Sequence, residues 1–241
     1  MTVSDRTGRR TPAQPQAAVT RAQQRDLARV EAFSDGVFAF AITLLVLGIR
    51  IPKPGDTDAS AGLQPLLLQQ WPSYVAFALT FSLVGIVWAN HRLMFKHFVR
   101  TDHILVWLNL LVLMSVAFLP VPTAVLGAWG ASDRNRLAAV LFYGGTLFVA
   151  GIIHNLLWWY GAYWGRLASA EFTEQQRRML TLSWLGGPVL YGVSLALALV
   201  DPRLSVAGYV LIAIVYLLPT HLLLTLAQRS RNQLAGRGRI A

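Results

Sequence analysis

Six long apolar stretches dominate this sequence, and each is long enough to cross a lipid bilayer as a helix. A helix needs about 20 mainly apolar residues to span the hydrocarbon core, which is roughly 30 Å thick. We predict spans at residues 30–51, 74–94, 104–129, 137–164, 179–200 and 204–227. The sequence therefore predicts an all-α, polytopic membrane protein with six transmembrane helices.

The composition supports a lipid environment and argues against several classes of protein. Hydrophobic residues make up 55% of the chain and charged residues 13%, whereas soluble domains average about 45–50% and 25%. The chain has no cysteine, which excludes disulfides and thiolate metal ligands. Because the sequence also lacks the HExxH, GxSxG, Walker A and GxGxxG motifs, we predict that it is not an enzyme and binds no cofactor.

The positive charge of the chain predicts its orientation in the membrane. A net charge of +10 is typical of nucleic-acid-binding proteins, but here the basic residues lie between the apolar stretches. Short cytoplasmic segments retain Lys and Arg. The connections between the six spans alternate between the two sides of the membrane. Those on one side carry only five of the 21 basic residues, namely Arg50, Lys53, Arg134, Arg136 and Arg203. We therefore predict that both termini are cytoplasmic and that no nucleic acid is bound.

The six spans divide the chain into one membrane domain and two tails. We predict a disordered cytoplasmic tail at residues 1–28, a six-helix transmembrane domain at residues 29–228 and a basic cytoplasmic tail at residues 229–241. The only sizeable predicted outer loop covers residues 52–70. Its apolar residues 66–68 indicate a short interfacial turn.

Asp35 is the most informative polar residue within the predicted spans, because an ionisable group in a membrane helix is costly and needs a partner. It could be an ion or proton ligand, or a tie between helices satisfied by His91, Asn109 or Arg29. At 100° per residue, Asp35 lies about 140° from Phe40 around the helix, which favours the tie. One face is shared by Phe33, Phe40, Thr43, Leu44 and Leu47.

Other polar residues leave a transport alternative open. His91 and Asn109 are interpreted as polar contacts between helices. His154, beside Asn155, could titrate, although a packing role is favoured, and His221 could satisfy backbone groups freed by Pro219. A Gly-Gly-Pro sequence at residues 186–188 could break a helix, as in secondary transporters, although a kink is favoured.

Several motifs resemble those of one known family. Arg29, Phe33, Ser34, Asp35 and Gly36 reproduce an RxxxFSDG signature. The second span ends in Trp-Ala-Asn-His at residues 88–91, and the third span combines Asn109 with Phe-Leu-Pro at residues 118–120. These elements are similar to those of the transmembrane protein 175 family, whose members are potassium-permeable channels.

The resemblance implies a potassium-selective, leak-type channel in a bacterial plasma membrane. Bacterial members have one six-helix unit per chain and form homotetramers, so the expected partners are potassium ions, lipid and three further subunits. The first helix of each subunit would line the pore, with a hydrophobic constriction at Phe40 followed by layers at Thr43, Leu44 and Leu47. Phe40 stands where the family usually has Ile or Leu. No metal beyond transient potassium is implied.

The resemblance also implies a polar network that holds the first helix in place. Its members would be Arg29, Ser34, Asp35, His91 and Asn109. The alternative function is a proton-coupled secondary transporter, suggested by Asp35, His91, His154 and the Gly-Gly-Pro sequence. A membrane scaffold without transport activity is a third possibility.

Overall fold

The described part of the chain is helical except for short connections. The computed structural model describes residues 13–54, 62–169 and 173–217. Eight α-helices lie within these residues: α1 Ala13–Leu44, α2 Leu63–Gln69, α3 Trp71–Phe95, α4 His103–Phe118, α5 Pro120–Trp129, α6 Arg136–Trp159, α7 Glu174–Leu197 and α8 Pro202–Leu217. A 3₁₀ turn, Leu45–Gly48, extends α1, and a π-helical turn, Tyr160–Trp164, extends α6.

Five helical segments of the described residues are long and apolar enough to cross a membrane. They begin with α1 and its 3₁₀ turn, followed by α3, the α4–α5 pair, α6 with its π-helical turn, and α7. The first five predicted spans therefore correspond to observed helices. The sixth corresponds to α8 as far as Leu217, and residues 218–227 of that prediction, which include His221, lie outside the described residues.

Two predicted boundaries differ from the structure. Residues 13–28 were predicted to be a disordered tail, but α1 begins at Ala13, so that part of the prediction is wrong. This segment is rich in Ala, Gln and Arg, which favour helices, and extending a helix costs far less than starting one. The third predicted span is divided at Leu119, because Pro120 and Pro122 cannot donate backbone hydrogen bonds.

Two smaller predictions can be compared with the structure. The interfacial turn predicted at residues 66–68 lies within the short helix α2. The Gly-Gly-Pro sequence does not break the helix, because α7 continues through Pro188. The kink favoured from the sequence stays a prediction.

Helix packing buries one large apolar cluster and a second cluster near the predicted inner end. The larger cluster joins α1 and α3–α8 through residues such as Phe38, Leu83, Val116 and Tyr143. Buried hydroxyls hold α3, α5 and α6 together, since Thr123 Oγ1 donates to Thr80 Oγ1 at 3.0 Å and Thr80 is hydrogen-bonded to the Tyr143 hydroxyl at 2.9 Å. These hydrogen bonds fix α3, one of the two helices on which α1 packs, against α5 and α6.

Candidate functional site

Helix α1 has two contrasting faces along its membrane-spanning part. Ser34, Phe38, Ala41 and Leu45 are buried at spacings of three and four residues, so they form one stripe that packs against the rest of the subunit. Helix α4 is the main neighbour of this stripe, together with α3. The buried face therefore fixes how α1 is rotated relative to its own subunit.

The opposite face of α1 is apolar but exposed in the single chain. Phe33, Phe40 and Leu47 are 57%, 65% and 74% exposed. Thr43 is exposed on the same side, and Leu44 is half-buried beside it. The α-helix ends at Leu44, so Leu47 lies in the 3₁₀ turn, where the angular spacing is nearer 120° than 100° per residue. All four predicted pore residues thus lie on or next to a face that the subunit itself leaves uncovered.

A buried hydrogen-bonded chain anchors α1 to its neighbours. Asn109 Nδ2 on α4 donates to Ser34 Oγ at 2.9 Å, and Ser34 Oγ in turn donates to the carbonyl oxygen of Val30 at 2.8 Å. Asn109 Oδ1 is 2.8 Å from His91 Nε2 on α3. Since the amide oxygen can only accept, His91 Nε2 carries the proton. Three of the five predicted network residues therefore connect three helices.

Asp35 lies next to this chain but has a different partner from those predicted. Trp88 Nε1 on α3 donates to Asp35 Oδ1 at 2.8 Å. The expectation that His91, Asn109 or Arg29 would satisfy Asp35 is therefore wrong. A sequence signal for Trp88 existed: it precedes His91 by three residues, so both side chains lie on the same face of α3.

Arg29 is the predicted network residue that the structure does not bring together with the others. Its side chain is exposed on α1, one turn before Ser34. Within the described ranges, no hydrogen bond joins Arg29 to Ser34, Asp35, His91 or Asn109. A long cationic side chain near the end of a span is better solvated in the interface than in the helix packing, which explains why it does not join the buried chain.

Trp88→Phe is expected to weaken the attachment of α1. The change keeps the aromatic ring, over which the Arg92 guanidinium lies at 5.8 Å, but removes the N–H that bonds Asp35. Loss of a hydrogen bond to an acidic group should lower the free energy of unfolding by about 1–2 kcal/mol. Thermal unfolding in detergent would measure the effect.

Trp107→Phe is the matched control for this substitution. Trp107 Nε1 donates to His103 Nε2 within α4, and the Trp107 side chain is exposed. Its replacement should change the stability by no more than about 0.5 kcal/mol. Equal melting temperatures for the two variants would contradict a structural role of the Trp88–Asp35 bond.

The described residues contain no group of three or more His, Cys, Asp or Glu side chains that could hold a metal ion. His154 and Asn155 lie on α6, where they are buried away from the exposed face of α1. The exposed face and the anchoring chain are therefore the candidate functional parts of α1.

Comparisons with known proteins agree with this arrangement. A family model described as "Endosomal/lysosomal potassium channel TMEM175" matches residues 29–120, which include the second half of α1 and all of α3 and α4. A protein of Streptomyces collinus named as a potassium channel is 39% identical over 188 residues, covering 78% of this chain and 90% of the relative. A protein of Chamaesiphon minutus with the same kind of name is 39% identical over 196 residues, covering 81% and 96%.

A solved structure has the same fold. The chain superposes with a TM-score of 0.72 on the crystal structure of a lysosomal potassium-selective channel TMEM175 homolog from Chamaesiphon minutus. The sequence identity is 37%, and the match covers 80% of this chain and 97% of the solved one. These relatives are ion channels and not enzymes.

Proposed function

Because the chain belongs to the TMEM175 family, we propose that it is a potassium-selective, leak-type channel in which α1 helices of four subunits surround the pore. The main support for this proposal is the contrast between the two faces of α1. One face is fixed by burial and hydrogen bonds, and the other is apolar and uncovered. We place the channel in a bacterial plasma membrane with both termini in the cytoplasm.

Exposure of apolar side chains alone does not separate a pore from a lipid-facing surface, because other helices also expose such side chains. Small residues next to the stripe support contact between copies of α1. Ala32, Gly36 and Ala39 are exposed at spacings of four and three residues, and a Cβ atom built on Gly36 would meet nothing within 4 Å. Small residues allow membrane helices to approach closely, which suits four helices around a narrow axis.

The residues of the exposed stripe suit a hydrophobic constriction. In the proposed tetramer, four Phe40 side chains form the narrowest ring, and Leu44 and Leu47 add apolar layers. Such constrictions control permeation by excluding water from the pore. Ions therefore cross only when the Phe40 rings move apart or change rotamer.

Thr43 contributes oxygen atoms next to the apolar rings. Its hydroxyl donates to the carbonyl oxygen of Phe40 at 2.8 Å, so the hydrogen is directed towards the helix backbone. A hydroxyl oxygen keeps acceptor capacity when its hydrogen is donated. A ring of four Thr43 oxygens could therefore replace part of the hydration shell of a potassium ion.

Ion flux and oligomeric state together test the proposal. Purified protein reconstituted into a planar bilayer should conduct potassium better than sodium. Reversal potentials under gradients of each ion would measure this preference. The mass of the detergent-solubilised protein, corrected for bound detergent, should be that of four chains. A monomer, or a complete lack of cation permeation, would contradict the proposal.

The alternative carrier makes a different prediction in the same experiment. A proton-coupled transporter would show saturable potassium uptake that a pH gradient accelerates. The channel should show flux that rises with potassium concentration and is indifferent to a pH gradient at constant membrane voltage. The continuous helix α7 removes one of the features that suggested a carrier, because carriers place substrates at broken helices.

A further inference from the structure

A cavity of about 60 Å³ lies inside the single subunit, behind the anchoring chain of α1. Its walls come from α3, α4, α6, α7 and α8, so it is separate from the exposed face of α1. Most of the lining is apolar, with Leu83, Val116 and Leu147 among the walls. Three amide or imidazole side chains break this apolar surface, namely Asn90, His154 and Asn155.

The polar groups of α6 at this cavity are buried and incompletely hydrogen-bonded. His154 and Asn155 are each only 8% exposed. Asn155 Nδ2 donates to the carbonyl oxygens of Gly151 and Trp184 at 3.0 and 3.3 Å. Asn155 Oδ1 and both ring nitrogens of His154, however, have no protein partner in the described part of the chain. Burying such groups without hydrogen bonds is strongly unfavourable, so a partner is required.

His91 has a further unpaired atom and lies close to His154, although it is not one of the residues that line the cavity. Its Nε2 donates to Asn109 Oδ1, so in the neutral ring Nδ1 is an acceptor. That Nδ1 is buried and has no partner among the described residues. The His91 and His154 rings lie 6.1 Å apart between centroids without a hydrogen bond between them. The separation is compatible with a bridging molecule whose two hydrogen bonds each span about 2.8 Å.

We propose that this cavity is a binding site for a small cluster of water molecules that bridges His91 to His154 and donates to Asn155 Oδ1. A cavity needs about 10–15 Å³ of this kind of volume to hold one water molecule, so about 60 Å³ suits a small cluster. His91 Nδ1 and Asn155 Oδ1 are acceptors, and neutral His154 has one N–H donor and one acceptor nitrogen. Water can pair with all four groups, because it both donates and accepts hydrogen bonds. The cluster would extend the chain Ser34–Asn109–His91 from α1 to α6.

Other occupants fit the cavity less well. An apolar molecule would leave the buried nitrogens and the amide oxygen unpaired. A transition metal would need three or four ligands. The lining offers only the imidazole of His154 and the neutral amides of Asn90 and Asn155, with the imidazole of His91 nearby. The inference goes beyond the proposed function, because it does not depend on which ion the protein conducts.

A density map of the wild-type assembled protein in lipid nanodiscs at about 2 Å resolution tests the inference directly. We expect solvent peaks within about 2.7–3.2 Å of Asn155 Oδ1, and a peak shared by His91 and His154. A cavity without solvent density, or one filled by an acyl chain or by a direct side-chain contact to these atoms, would overturn it.

A pair of His154 variants tests whether the water cluster stabilises the fold. His154→Gln keeps a donor and an acceptor and should leave the melting temperature within about a degree of wild type. His154→Phe removes both and should lower it by several degrees and eliminate the shared solvent peak. Ile152→Phe, on the exposed side of α6, is the size control. Equal melting temperatures for the two His154 variants would contradict a stabilising role of the water cluster. If the His154→Phe protein does not fold, the density map of the wild-type protein decides whether the water molecules are present.

Discussion

Phe40→Ala is expected to raise potassium flux severalfold and to weaken the preference for potassium over sodium. Phe40 is the aromatic residue of the exposed stripe nearest to Thr43, and its side chain is largely uncovered by its own subunit. In the proposed tetramer the substitution removes four aromatic rings from the narrowest layer. A wider ring is wetted more often, so hydrated ions can pass with less discrimination. Single-channel conductance and reversal potentials would measure both effects.

Phe81→Ala is the matched control for Phe40→Ala. Phe81 lies on α3, is also exposed, and packs beside Phe77 at a ring distance of 5.9 Å. The control removes the same group from an apolar surface, so flux should stay at the wild-type level. Unchanged currents in the Phe40→Ala protein, or an equal rise in both variants, would remove Phe40 from the pore.

Asn109→Leu is expected to cause the largest loss of stability among these changes. The substitution keeps the side-chain size but leaves the His91 Nε2–H without an acceptor and Ser34 Oγ without its donor. Each buried group left unpaired costs about 1–3 kcal/mol, so the variant should lose on the order of 3 kcal/mol. Thermal unfolding and the fraction of protein recovered as an oligomer would measure the loss.

A double variant separates unpaired polar groups from lost packing. In His91→Leu combined with Asn109→Leu, both partners of the buried bond are apolar, so no imidazole N–H remains unpaired. Replacing both partners can be nearly neutral, whereas removing one is costly. The double variant should therefore be less destabilised than the sum of the two single variants. Additive losses would indicate that the His91–Asn109 bond does not couple α3 to α4.

The positions of the membrane helices along the chain could be predicted from local sequence. Apolar runs of about 20 residues place α3, α6 and α7 to within about five residues, and the apolar residues 66–68 predict a turn where the structure has the short helix α2. These features depend on neighbours along the chain. The start of α1 at Ala13 does not follow from the apolar pattern, because the segment before residue 29 is basic and rich in glutamine, although its residues favour helix.

The partners within the candidate site depend on how helices rotate against each other, which local sequence does not determine. Helical spacing placed Asp35 away from Phe40, and the structure agrees, since Asp35 bonds Trp88 while Phe40 is exposed. The choice of Trp88 over His91 follows from the packing of α1 on α3, between residues 53 positions apart in the chain. Arg29 belongs to the same signature, but its length lets it remain at the surface.

The placement of four α1 helices around the pore is tested most directly by cysteine substitution, because the natural chain contains no cysteine. Thr43→Cys places one thiol per subunit on the exposed face of α1. Thr146→Cys on α6 is the control, since the Thr146 hydroxyl likewise donates to a carbonyl oxygen of its own helix, that of Phe142. The account predicts that a small water-soluble thiol reagent or silver ion blocks potassium flux in the Thr43→Cys protein and leaves the Thr146→Cys protein unaffected. Full flux through Thr43→Cys after complete labelling of its thiols would contradict the account.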